Sequence, residues 1–104
     1  MLELRPNCEL CNRDLPPAST EARICSYECT YCADCVDDVL QNVCPTCGGG
    51  FAPRPIRPKA SLRAEKRLGL GFHPASQTRV HTGFTDADIK AHVARIKDTP
   101  PTER

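Results

Sequence analysis

Apolar residues along this chain fall into short, separated groups, and two of them recur with helical spacing. In Cys35-Val-Asp-Asp-Val-Leu40 the residues Val36, Val39 and Leu40 share one side of a helix, which predicts that a helix begins around Cys32 and Cys35. Near the end, Ile89, Val93 and Ile96 line one face with His92 beside them, while Lys90, Arg95 and Lys97 fall elsewhere. Thr85 stands as an N-cap with Asp88 three residues on, in the capping-box position. The helix is expected to run to about Lys97 and to stop at Asp98-Thr-Pro-Pro101. A lone helix of this length is marginal in water, so its apolar stripe requires a surface: its own domain, a second copy or a partner.

The rest of the pattern is weaker. Ala22-Arg23-Ile24 is a short strand at most, and Leu15-Pro16-Pro17-Ala18-Ser19-Thr20 is a loop. After Gly48-Gly-Gly50, Pro53, Pro55 and Pro58 hold Arg54 and Arg57 in an extended connector. Lys59 to Leu68 is expected as a short helix stopped by Gly69 and Gly71, and Leu70 to Gly83 as loop. The expected organisation is a domain over 1–52, a basic Pro/Gly-rich linker over 53–84, a helix over 85–98 and a disordered end over 99–104.

Composition changes this picture. With 104 residues, no Trp and five aromatic rings, the chain has room for one small domain and no large core. Yet it carries eight cysteines, in four close pairs: Cys8/Cys11, Cys25/Cys29, Cys32/Cys35 and Cys44/Cys47. Such density signals either disulfides or metal sites. The first residues show no basic segment followed by an apolar run, and no stretch approaches membrane-spanning length. The expectation is therefore a reducing cytoplasm, no membrane, and thiols free for metal.

The spacing specifies the chemistry. In Cys8-Glu-Leu-Cys11-Asn12 two intervening residues let both sulfurs face one ion, and Asn12 tolerates the positive φ that closes the turn. Cys44-Pro-Thr-Cys47-Gly48 repeats the device, with Gly48 as the permissive residue. Cys32 and Cys35, at a helix start, meet a dipole that favours thiolates. A knuckle plus a helix start makes one compact tetrahedral site from Cys8, Cys11, Cys32 and Cys35, leaving Cys25, Cys29, Cys44 and Cys47 for a second. Two structural Zn²⁺ ions are expected, interleaved as a cross-brace. Sequential pairing, Cys8/Cys11/Cys25/Cys29 then Cys32/Cys35/Cys44/Cys47, is the rival, and disulfides are a further alternative. Redox catalysis by Cys-x-x-Cys lacks the surrounding strand and helix pattern it needs. His73 and His81 are read as surface imidazoles, since eight cysteines already complete two sites.

Charge divides the chain at Ala52. Residues 1–52 carry three cations against eight anions, a net −5, and residues 53–104 carry eleven against five, a net +6. Arg54, Arg57, Lys59, Arg63, Lys66 and Arg67 form a run able to grip phosphates, though no aromatic residue is interleaved for base stacking. A solvated linker is the simpler reading of that run, and folding back on the acidic body is another.

The cysteine spacing, with Leu10 and the Cys-Pro-x-Cys form around Pro45, resembles the RING family, Cys29 standing where that family usually has His. The resemblance implies a treble-clef cross-brace. In ligase members the positions of Leu10 and Pro45 help dock the ubiquitin-conjugating enzyme. No Trp follows Cys35, and Gly48 stands where active ligases often carry a cation. The opening Leu2-Glu-Leu-Arg-Pro-Asn-Cys8 and the run Ala22-Arg-Ile-Cys-Ser-Tyr-Glu-Cys29 resemble a short bacterial cysteine-rich family of unknown function, over about the first 58 residues. Together these features suggest a non-enzymatic zinc-binding interaction module with a protein partner. The alternatives are a RING-type ligase adaptor and a nucleic-acid accessory protein using the basic run.

Overall fold

The computed structural model describes residues 1–104. Three very short strands form its sheet: β1 (Ala22–Ile24), β2 (Thr30–Cys32) and β3 (Ala52–Pro53). β1 lies in the middle, antiparallel to both neighbours, with Arg23 opposite Tyr31 on one side and Pro53 on the other. Pro53 has no N–H to give a ladder, so it is accommodated on an edge strand. The β1–β2 connection is the Cys25–Cys29 turn, closed by Glu28 N–H donating to the Cys25 carbonyl, with Glu28 at φ 69°.

β2 runs directly into α1 (Ala33–Cys35), which widens without a break into a π-helical turn over Val36–Leu40. The helix predicted at Cys32 to Cys35 is therefore present, but its spacing differs from the expected one. A π turn has more residues per revolution than an α-helix, so Val36 and Leu40 share the inner side and are buried. Val39 is carried outward and is 47% exposed. Gln41 and Asn42, both left-handed, end the element. The Asn42 carboxamide oxygen then accepts the Phe51 N–H at 2.8 Å, tying this corner to the approach of β3.

The core is small: Leu15, Tyr31, Leu40 and Val43 are fully buried among the cysteines, and Leu4 is buried apart from that cluster. Tyr31 meets Phe51 edge-on, ring centroids 5.5 Å apart. α2 (Asp86–Ile96) covers one side of this core. The Thr85 hydroxyl accepts the Asp88 N–H as the sequence predicts, and Ile89 and Val93 are buried in the main cluster with Ile96 packed at its margin. Of the surfaces open to this helix, its own domain is the one used.

The stretch 53–84, expected as a connector, is laid back along the N-terminal segment. Ser76 N–H donates to the Leu4 carbonyl and Thr82 N–H to the Glu9 carbonyl. The Asn7 side chain pairs with the Val80 backbone in both directions, giving its amide hydrogen to the carbonyl and accepting the N–H. Arg79 reaches Asp14 at 2.7 Å and the Asn12 carbonyl at 2.6 Å. The helix expected over Lys59 to Leu68 is reduced to a 3₁₀ turn at Ala64–Lys66, because Arg63 is extended before it and Arg67 is left-handed after it. The last residues, expected to be disordered, close a 3₁₀ turn at Pro101–Glu103, and Arg104 donates to the Asn42 and Gly48 carbonyls. No helix is long and apolar enough to cross a membrane.

Candidate metal centre

Two tight turns and one helix start bring the first group of cysteines together. The Cys8 knuckle closes by Asn12 N–H donating to the Cys8 carbonyl at 2.9 Å, with Asn12 at φ 66°. Cys32 is the N-cap residue of α1 and Cys35 its last residue. The sulfurs of Cys8, Cys11, Cys32 and Cys35 all lie within 4.8 Å of one another. The second group forms where the Cys44 knuckle meets the Cys25 turn. Gly48, at φ 78°, donates its N–H to the Cys44 carbonyl at 2.8 Å. The sulfurs of Cys25, Cys44 and Cys47 likewise all lie within 4.8 Å of one another. Cys29 is buried in the same core cluster but lies outside that tight trio. The grouping is interleaved rather than sequential, all eight cysteines are free of disulfides, and no histidine joins either group.

The donor chemistry fits a cation. Burial pushes the Cys35 thiol up, and the neighbouring thiols of Cys32, Cys8 and Cys11 push it further. Burial likewise raises Cys44, against the pull of the Cys47 and Thr46 N–H groups. Cys29 is raised by burial and by Cys25. At Cys25 burial is outweighed by donation from the Tyr27 and Cys29 N–H groups, and the thiol is held below its ordinary value. Sulfurs packed this closely disfavour one another's charge, and a divalent ion among them reverses that balance. The distance agrees: Cys11 Sγ and Cys32 Sγ are 3.8 Å apart, and the edge of a tetrahedron with metal–sulfur bonds of about 2.3 Å is about 3.8 Å. Backbone amides complete the surroundings, with Gly49 N–H on Cys47 Sγ and Tyr27 N–H on Cys25 Sγ, each at 3.3 Å.

Side chains outside the cysteines hold this arrangement. Glu9, inside the first knuckle, is buried; its carboxylate takes the Arg5 guanidinium at 2.9 Å and also the Thr30 N–H. Arg54 was expected to face solvent among phosphate-gripping cations. It is instead buried, donating to the Arg5, Leu15 and Pro16 carbonyls, and burial lowers its pKa. Arg57 is similarly engaged, on the Leu2 and His73 carbonyls. His92 Nε2 lies 2.9 Å from the Cys44 carbonyl, so α2 touches the second knuckle directly. Only the i, i+4 spacing of Arg5 and Glu9 hinted at one of these contacts in the sequence.

These features define a small, mostly irregular domain organised by two cysteine clusters able to bind metal. Residues 1–57 match the family described as a protein of unknown function (DUF1272), and the chain belongs to it. The resemblance read from Leu2–Cys8 and Ala22–Cys29 is thereby borne out. Among curated relatives, the uncharacterized protein R02474 of Rhizobium meliloti (strain 1021) is 50% identical over 80 residues, covering 77% of this chain and 86% of that protein. No solved structure matches the chain.

Proposed function

We propose that this protein is a non-enzymatic interaction module folded around two structural Zn²⁺ ions in a RING-like, treble-clef cross-brace. The observation that carries the reading is the interleaved gathering of the cysteines, with Cys11 and Cys32 held at the spacing of two ligands on one tetrahedral ion. Cys8, Cys11, Cys32 and Cys35 hold the first ion. Cys25, Cys44 and Cys47 hold the second, with Cys29, buried in the same core cluster, turning in as its fourth ligand. Zinc closed by four thiolates has no open position for a water or substrate, and its contribution is to folding.

A core of this size gains from metal what apolar burial does not supply; structural zinc contributes about 10–16 kcal/mol in peptide models. The ligase reading requires a free docking edge at Leu10 and Pro45. Leu10 is packed on the core, and Pro45 is buried beside a cleft shared with Phe84, Ala91 and His92. The accessory-factor reading loses Arg54, which is occupied by carbonyls.

Native mass spectrometry and metal analysis of the purified chain test the proposal. Two zinc ions per chain and eight reduced thiols are expected, with unfolding of residues 1–52 on chelation. A protein that melts cooperatively and unchanged in excess chelator overturns it.

A further inference from the structure

The stretch after β3 builds a feature that neither the metal sites nor the core uses. Its base is clamped. Leu70 N–H donates to the Pro58 carbonyl at 2.9 Å, and Gly69 sits at φ 94° so close to the chain that a Cβ there would lie 2.7 Å from the Ala60 carbonyl oxygen. Beneath it Arg57 holds the Leu2 and His73 carbonyls. Above it the Ser61 hydroxyl accepts the Leu68 N–H and donates to the Arg63 carbonyl, fixing the two arms against each other.

What this closed loop presents is unusual for a solvated connector. No residue from Lys59 to Leu68 is buried. Leu62 is 82% exposed and Leu68 55%, with Ile56 and Phe72 half-exposed at the base and Met1 beside Phe72 in a shared depression. Lys59, Arg63, Lys66 and Arg67 are all exposed and none forms an ion pair, while Glu65 is the only anion among them.

We propose that the loop Lys59 to Leu68 is a hook that docks on an anionic lipid bilayer surface, its leucines entering the interface and its four cations meeting the headgroup phosphates. Cations alone suffice to grip a nucleic-acid backbone, and no aromatic residue stands in the loop to stack on bases, so the exposed leucines are left unexplained by that partner. A lipid surface uses both kinds of side chain at once. The acidic front half, net −5, is repelled by the same surface and turns the hook inward. This inference rests on reading the chain as an interaction module and names the partner.

The full-length, metal-loaded protein is sedimented with phosphatidylcholine vesicles and with vesicles containing phosphatidylglycerol as well. Binding to the second kind alone, weakened by salt, is expected. Leu62→Ser with Leu68→Ser, and separately Lys59→Gln with Lys66→Gln, should each reduce it about tenfold or more. No sedimentation, or equal sedimentation with both vesicles, overturns the proposal. So does retention on DNA that responds to the charge variant and ignores the leucine variant, or a dimer that dissociates on leucine substitution. Metal content measured on the same preparations reports separately on the zinc sites.

Discussion

Glu9 and Thr30 hold each other at two points, and Arg5 adds a third contact to Glu9. Glu9 N–H donates to the Thr30 carbonyl at 2.9 Å, the Thr30 N–H is taken by the Glu9 carboxylate, and that carboxylate also pairs with Arg5. Glu9 lies between Cys8 and Cys11, and Thr30 opens the strand that ends at Cys32, so this junction sets the first knuckle against the strand that carries another cysteine of the same cluster. A buried acid with a guanidinium and an amide on it becomes costly to remove from one side, because the remaining groups lose their partner in a place water does not reach.

Glu9→Ala is therefore expected to destabilise the metal-loaded protein by about 3 kcal/mol. Glu9→Gln, which keeps an acceptor for Thr30 but loses the charge facing Arg5, should cost less. Urea denaturation of the two variants beside the wild type measures the difference, and equal stability of all three would show that the junction is not holding the fold.

Metal stoichiometry distinguishes the fourth ligand of the second cluster. Cys29→Ser is expected to leave one tightly held ion per chain where the wild type holds two, since a structural site wants four closed ligands. His92→Ala should keep both ions, because its imidazole meets the Cys44 carbonyl and not a sulfur cluster. Metal analysis after dialysis against a weak chelator reads both variants. Loss of the second ion in His92→Ala with retention in Cys29→Ser would reverse the assignment.

How much of this was legible in the sequence depends on how local the cause is. Asn12 and Gly48 announce their turns because positive φ is a property of the residue itself, and Thr85 announces α2 because its hydroxyl reaches only to Asp88. The cysteine pairs are legible for the same reason, and their interleaving follows once the helix start is located. Val39 misled, because an α-helical spacing was laid over a turn that widens to π as it closes on Gln41 and Asn42. Arg54 and the Asn7–Val80 pairing were illegible because their partners lie tens of residues away. An arginine among prolines looks like a solvated cation until the carbonyls of Leu15 and Pro16 are brought to it.

That buried arginine separates structural from surface charge in the basic run. Arg54→Ala leaves the Arg5, Leu15 and Pro16 carbonyls without their donor and is expected to cost about 2–3 kcal/mol, since hydrogen bonds to charged groups exceed neutral ones. Lys66→Ala removes an exposed side chain with no ion pair and should stay within about 0.5 kcal/mol. Thermal melts of the two variants at matched metal content provide the comparison, and an unaffected Arg54→Ala would mean that the guanidinium only fills space.

The docking of α2 yields the last expectation. Ile89 and Val93 are buried in the same cluster as Val36, Leu40 and Cys44, and His92 and Ile96 lie against the second knuckle at Gly48. Helix and cysteine domain should then unfold as one unit, although the helix contributes no ligand. Ile89→Ala creates a cavity under α2 and is expected to destabilise by about 3 kcal/mol, within the range for large-to-small core changes. The same variant should release the second ion to a chelator faster than the first, because the Cys44–Gly48 turn loses its cover while the Cys8–Asn12 turn keeps its contact with Arg79. Chelator-monitored release, resolved into two phases, tests this coupling; equal acceleration of both phases, or of neither, would show that α2 rests on the domain without bracing its second cluster.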